Sequence, residues 1–198
     1  MASVTPRDMT TTHPGYWPSP WPVECGGNRR QKHAPGRLDA HAGEPDVVTS
    51  RNGRWNVMVV RCDPGEWFLS GTMSAFVGDA PFGWVQRLDP DTLDPSADSG
   101  PLPCGDHVWC GAIAAHANGS LYNVNGSFVH KLSADCEIEA EVRLPVDQAH
   151  NGLLILGDGS IVTKDLRLGD GGCSTMTRLD ADTLELLHEP TVLPEPSM

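Results

Sequence analysis

Three stretches decide the fold: "VQRLDPDTLDPSADSGPLP" (residues 85–103), "VHKLSADCEIEAEVRLP" (129–145) and "MTRLDADTLELLHEPTVLP" (176–194). Each opens on an apolar residue, passes through a basic residue and a leucine, and runs into an Asp-rich turn. The marker leucines Leu88, Leu132 and Leu179 stand 44 and 47 residues apart. A near-constant period means one supersecondary unit built several times over. "DADTLELLHE" alone reads equally as a helix start with Asp as its cap. Its counterpart "DPDTLDPSADSGP" carries prolines that forbid a continuous helix, so the repeat decides for strand.

A second set of markers precedes the first. "WNVMVVRCDPGEWFLSG", "CGAIAAHANGSLYNVNG" and "HNGLLILGDGSIVTKDL" each place an apolar run before a turn closed by Gly65, Gly119 or Gly159, the pattern of a hairpin. Glycine supplies the positive φ such turns need without a steric cost. The first run of each hairpin is almost wholly apolar, as expected of an inner strand buried on both faces. Side chains of Asp89, Asp91, Asp180 and Asp182 can accept hydrogen bonds from backbone N–H groups just ahead and so fasten the third strand to the fourth.

The unit is therefore four short antiparallel strands, and its length is that of a propeller blade. The expectation is an all-β protein, a β-propeller of about three four-stranded blades over residues 49–198. The ring is incomplete and follows an irregular Pro/Gly-rich segment, residues 1–48. Three blades are too few to close a ring, and "LPEPSM" stops where a further inner strand is due. A truncated portion of a longer propeller, a ring completed by two copies and an open end capped by other material all fit. An open edge predicts self-association.

In the first segment, "HPGYWPSPWPVECGGNRRQKHAPGRLDAHAGEP" has neither helical nor strand periodicity. Tyr16, Trp17 and Trp21 are costly to leave in water and are expected to pack onto the repeats. The chain carries 14 Lys and Arg against 26 Asp and Glu, a formal charge of −12. That argues against a phosphate-tracking surface, so no nucleic-acid partner is expected. "MASVTPRDMTTTHPG" lacks the basic start and apolar run of a leader, and no stretch reaches bilayer-spanning length. A cytoplasmic protein with no membrane partner is the expectation. Six cysteines without CxxC spacing then read as free thiols. Cys104, His107 and Cys110 match no common zinc spacing.

Counting nine residues back from each turn glycine gives the starts of the inner strands: Asn56, Cys110 and His150, followed by Val57, Gly111 and Asn151. Side chains there converge on a shared channel if the sheets are arranged radially. Only the third start is richly polar. His150 and Asn151 offer a nitrogen and an amide oxygen, suited to a hydrated divalent cation or to a hydrogen-bonded strand cap. His116 reads as a structural histidine at the far end of its strand, and Asp165 as a solvated edge residue. No GxSxG elbow and no Walker loop occurs.

"DPGEWFLSGTM" (63–73) resembles the hairpin ending in Gly-Thr-Met of the gluconolactonase/regucalcin family, and "HNGLLILGDGSIVTKD" (150–165) resembles that family's Asn-Gly-Leu strand with its Asp-Gly turn. The resemblance covers two short segments. It implies a six-bladed propeller with a divalent cation on its axis that hydrolyses sugar lactones or related esters. Asn151 would then match a metal-binding asparagine. The ground of the family's Asn-Asp pair is "VMVVR" here, with Asn56 the nearest amide, and Glu44 of Glu44-Pro45 is the counterpart of an early glutamate ligand. The family's late catalytic aspartate would lie beyond Met198.

Two readings follow. One is a metal-assisted lactone or ester hydrolase using calcium or zinc, with His150 or an acid from outside this chain as the base and Asn151, Asn56 and Glu44 as ligands, the site being incomplete in this chain alone. The other is a non-catalytic propeller that binds a small molecule or a protein partner. A quinone-cofactor propeller is weaker, since Trp55, Trp67, Trp84 and Trp109 lack the regular docking pattern.

Overall fold

The structure is a computed structural model that describes residues 13–27, 49–73, 80–107, 111–167 and 172–196. Its strands make three four-stranded antiparallel sheets, each built from strands consecutive in sequence. Sheet 1 holds β1 (Trp55–Arg61), β2 (Trp67–Met73), β3 (Phe82–Leu88) and β4 (Pro95–Asp98). Sheet 2 holds β5 (Ala112–Ala115), β6 (Leu121–Asn125), β7 (Phe128–Leu132) and β8 (Ile138–Arg143). Sheet 3 holds β9 (His150–Ile155), β10 (Ile161–Asp165), β11 (Cys173–Leu179) and β12 (Thr191–Pro196).

The turn chemistry read from the sequence recurs in part, with Asp89 and Asp180 as the side-chain acceptors and Asp91 and Asp182 contributing their backbone amides instead. Gly65, Gly119 and Gly159 close the first hairpins at φ of 83°, 92° and 86°. Asp89 accepts from the amides of Asp91 at 3.0 Å and Thr92 at 2.9 Å, and Asp180 accepts from those of Asp182 and Thr183, both at 2.9 Å. In sheet 2, Ser133 takes this place and accepts from Asp135 and Glu137. Each such turn ends on a non-glycine residue in the left-handed region: Leu93, Cys136 and Leu184, with φ near +60°.

One detail differs from the sequence reading. "DADTLELLHE" is not a helix, and it is not yet strand. It forms the Asp180 turn and a single bridge, Leu179 to Leu186, and β12 begins only at Thr191. Pro194 and Pro196 fit in β12 because an outermost strand need not donate on its free side.

The core lies between the sheets. Val60, Phe68 and Val85 of sheet 1 pack on Ile113, Leu121 and Leu132 of sheet 2. Ala114, Tyr122 and Val129, on the other face of sheet 2, pack on Leu153, Ile161 and Leu179 of sheet 3. Sheet 2 is thus covered on both faces, and β5 is buried at all four positions. The inner strands β1 and β9 are only partly buried, because each belongs to a sheet with one face uncovered by another sheet among the described residues.

Residues 13–27 run along the last residues of the inner strands. Trp21 O accepts from Arg61 N at 2.8 Å, Pro22 O accepts from Ala115 N at 2.7 Å, and Trp17 N donates to Ala115 O at 3.0 Å. Tyr16 is 2% exposed. A Cβ on Gly15 would stand 2.2 Å from Leu156 O, so only glycine lets the segment approach β9 this closely. The segment satisfies backbone groups that inner edge strands would otherwise leave unpaired. Apart from one short 3-10 turn, Glu24–Gly26, it contains no regular element.

Candidate functional site

The register confirms that Asn56 and His150 hold equivalent positions. Asn56 pairs with Gly71 and His150 with Asp165, and each partner lies six residues past its turn glycine. In both sheets the pairing slips at the next residue, so Val57 and Asn151 are bulges. A bulge re-aims side chains at the end of a ladder, and here it leaves Asn151 half-buried beside a fully buried His150.

The His150 ring is held from one side. Its Nδ1 lies 3.0 Å from Gly126 O and 2.9 Å from Gln148 O. Carbonyls only accept, so Nδ1 carries the proton and Nε2 bears the lone pair. Nε2 is buried and has no hydrogen-bond partner among the described residues. Burial pushes the imidazole pKa below its ordinary value; the two carbonyls and Asp165 oppose that shift, and Arg167 adds to it. The neutral ring is the resting form at neutral pH.

Asp165 is wholly buried, which corrects its reading as a solvated edge residue. Strand alternation sends Lys164 to the uncovered face of sheet 3 and Asp165 to the face packed on sheet 2. One Asp165 oxygen accepts the amide of Thr175. The other lies 2.6 Å from Nε of Arg167, off the line of a straight hydrogen bond, so the contact is an ion pair more than a directed bond. The neighbouring Lys164 ammonium donates to Asp165 O and to Ser174 Oγ, each at 3.2 Å. These groups form a closed polar knot at the start of β9.

The remaining residues singled out from sequence lie elsewhere. Asn56 is exposed, and its side-chain oxygen accepts from Asn52 at 3.1 Å; the same Asn52 amide reaches Gln86 at 2.9 Å. This chain leads across the outer face of sheet 1 to Asp98, which accepts from Gln86 at 2.7 Å. β5 packs beside both β1 and β9 and so stands between Asn56 and His150. Glu44 and Cys110 lie outside the described residues. His116 is structural as read: its Nδ1 accepts from Asn118 N at 2.9 Å, and its Nε2 donates to Gly159 O at 2.8 Å, tying the hairpin turns of sheets 2 and 3 together.

A calcium or zinc ion fits this donor set poorly. Asn151 offers an amide oxygen and His150 one nitrogen, while the Asp165 carboxylate is engaged by Arg167 and Thr175. Hard cations are held by several charged oxygens, and among the described residues no three His, Cys, Asp or Glu side chains gather in metal-binding geometry. The thiols of Cys104 and Cys136 are buried, which pushes each up to about 11 and suits neither nucleophile nor ligand.

A more open site lies between the hairpin turns of sheets 1 and 2. Trp17, Phe68, Leu121 and Ala134 wall a cavity of about 240 Å³, with Asp63 and Glu66 at its rim. The Trp17 indole N–H donates to Asp63 at 3.1 Å, which fixes the ring. Glu66 pairs with Arg87 at 2.9 Å, and Asp63 has no cationic partner among the described residues. Sequence reading expected Trp17 to pack but could not place it beside Asp63, because the two are 46 residues apart and meet only through the N-terminal segment.

The described residues define an all-β protein of three repeated antiparallel sheets. Comparison with protein-family models, with curated proteins and with solved structures finds no match for this chain. No helix among the described residues is long and apolar enough to cross a membrane.

Proposed function

We propose that the three sheets are successive blades of a propeller-like arrangement, and that the chain is a non-catalytic module binding a small organic cation between its first two blades. The observation that carries this reading is the Trp17–Phe68 cavity with the Asp63 carboxylate at its rim. The Trp17 ring beside the Asp63 carboxylate attracts an ammonium group through the ring quadrupole and the charge together, while Phe68, whose ring the Arg87 guanidinium already covers at 6.0 Å, supplies apolar wall alone. The net charge of −12 concentrates cations around the molecule. Beside His150 the Asp165 carboxylate is engaged by Thr175 and Arg167, as in a structural fastening, and is not free to serve a ligand.

The test is a titration with propylammonium followed by calorimetry and by the indole N–H resonance of Trp17. Saturable binding that moves this resonance and is lost in Trp17→Ala and Asp63→Asn supports the reading. Absence of saturable binding to the unsubstituted chain overturns it.

A second reading, the metal-assisted lactone or ester hydrolase that the family resemblance implies, is favoured by one feature, the unpartnered Nε2 of His150. In that reading His150 accepts a proton at Nε2, and its other nitrogen is held by Gly126 and Gln148. It predicts sugar-lactone turnover in added calcium or zinc that disappears in His150→Gln. Turnover unchanged by that substitution, or none at all, removes it.

A further inference from the structure

The two interfaces inside the chain repeat one packing, and its two halves are left over at the ends. Leu154, Val162 and Met176 of sheet 3 stand at the repeat positions of Val60, Phe68 and Val85 in sheet 1, and of Ala114, Tyr122 and Val129 in sheet 2. In sheets 1 and 2 these positions are buried against the following sheet. In sheet 3, Leu154 and Met176 are each 40% exposed. At the other end, Val59, Trp67 and Leu88 of sheet 1 stand where Ile113, Leu121 and Leu132 meet the preceding sheet. Val59 and Trp67 are half-buried, Leu88 is 9% exposed, and the Arg61 guanidinium lies 5.4 Å over the Trp67 ring, so Val59 and Trp67 are the part of this face left for a partner.

We propose that a second copy of this chain covers these faces, its sheet 1 seated on sheet 3 of the first copy and its sheet 3 on sheet 1. Each new contact continues the packing already made twice within the chain, and two of them related by a two-fold axis close on themselves. Leu154 and Met176 then enter an interface of the kind formed by Val60 and Val85. Leu154 and Met176 share one face of sheet 3 and are each 40% exposed, at positions whose counterparts in sheets 1 and 2 are buried against a neighbouring sheet, which is the expected mark of such a contact. The pairing rests on the propeller-like reading of the sheets and is independent of the cation site, which lies within one copy.

The test is the mass of the full chain by light scattering and sedimentation equilibrium, from about micromolar to about 100 micromolar, a range that spans weak and moderate association. The expected mass is that of two chains, and Leu154→Glu with Met176→Glu, at exposed positions, is expected to halve it while circular dichroism stays unchanged. Trp67→Glu on the opposite face should do the same. A monomer throughout, open-ended polymers, or a dimer indifferent to all three substitutions overturns the proposal. Small-angle scattering of the Leu154→Glu, Met176→Glu monomer reports the arrangement of its own sheets. A failed propeller-like reading shows in that shape, and failed pairing shows in the mass.

Discussion

The Tyr16 hydroxyl accepts the backbone N–H of Ile155 at 2.9 Å, joining residues 139 positions apart in the sequence. Both residues are buried, and the bond fixes the N-terminal segment to the innermost strand of the last sheet. Tyr16→Phe keeps the ring and leaves the Ile155 amide without its partner. An unsatisfied buried donor costs about 1–3 kcal/mol, so urea unfolding should show a loss of that size. Amide exchange at Ile155 should accelerate more than at Ile113.

Asp165→Asn is expected to be among the most damaging single changes. The amide oxygen can still accept from Thr175, but Arg167, whose side chain is 22% exposed, loses its carboxylate. Removing one partner of a buried pair costs roughly 3 kcal/mol or more. Replacing both, with Asp165→Asn and Arg167→Met together, should recover much of the loss in thermal unfolding.

Acid should destabilise the fold through its buried histidines. His130 is fully buried on β7, and burial lowers its pKa from 6.5 to about 4. The backbone of Asn123 pulls the other way through a hydrogen bond, but burial prevails. His150 is shifted in the same direction. Both rings bind fewer protons folded than unfolded, so stability falls as pH drops from 6.5 towards 4. The His130 part is on the order of 3 kcal/mol. Urea midpoints at pH 7 and pH ~4.5 in the parent and in His130→Gln should differ in slope by that contribution.

The matched left-handed residues Leu93 and Leu184 should respond oppositely to glycine. Both hold φ near +60°, which costs a side chain about 1 kcal/mol. Leu93 is 36% exposed, so Leu93→Gly mainly relieves strain. Leu184 is 1% exposed within the core that includes Leu144 and Leu179. Leu184→Gly should therefore be less stable than Leu93→Gly by about 2 kcal/mol or more, measured side by side in urea.

Much of the architecture was legible before any coordinates. The 44- and 47-residue spacing of Leu88, Leu132 and Leu179, the glycines at 65, 119 and 159, and the prolines of "DPDTLDP" are local signals, and each acts through backbone geometry that nearby residues settle. The equivalence of Asn56 and His150 came from the same counting and holds in the register. One signal in the site went unused: Asp165 stands six residues past its turn glycine, as Asn125 does, and both are buried polar residues facing the preceding sheet.

By itself, then, the sequence determined the strands, their hairpins and their threefold repetition, because turns and alternation are set over a few residues. Only the tertiary structure decided that Asp165 points inward to Arg167, that Asn56 is held by Asn52, and that Trp17 meets Asp63. Those outcomes depend on which sheet covers which face and on where residues 13–27 lie, and contacts between segments so distant in the chain leave no local pattern to read.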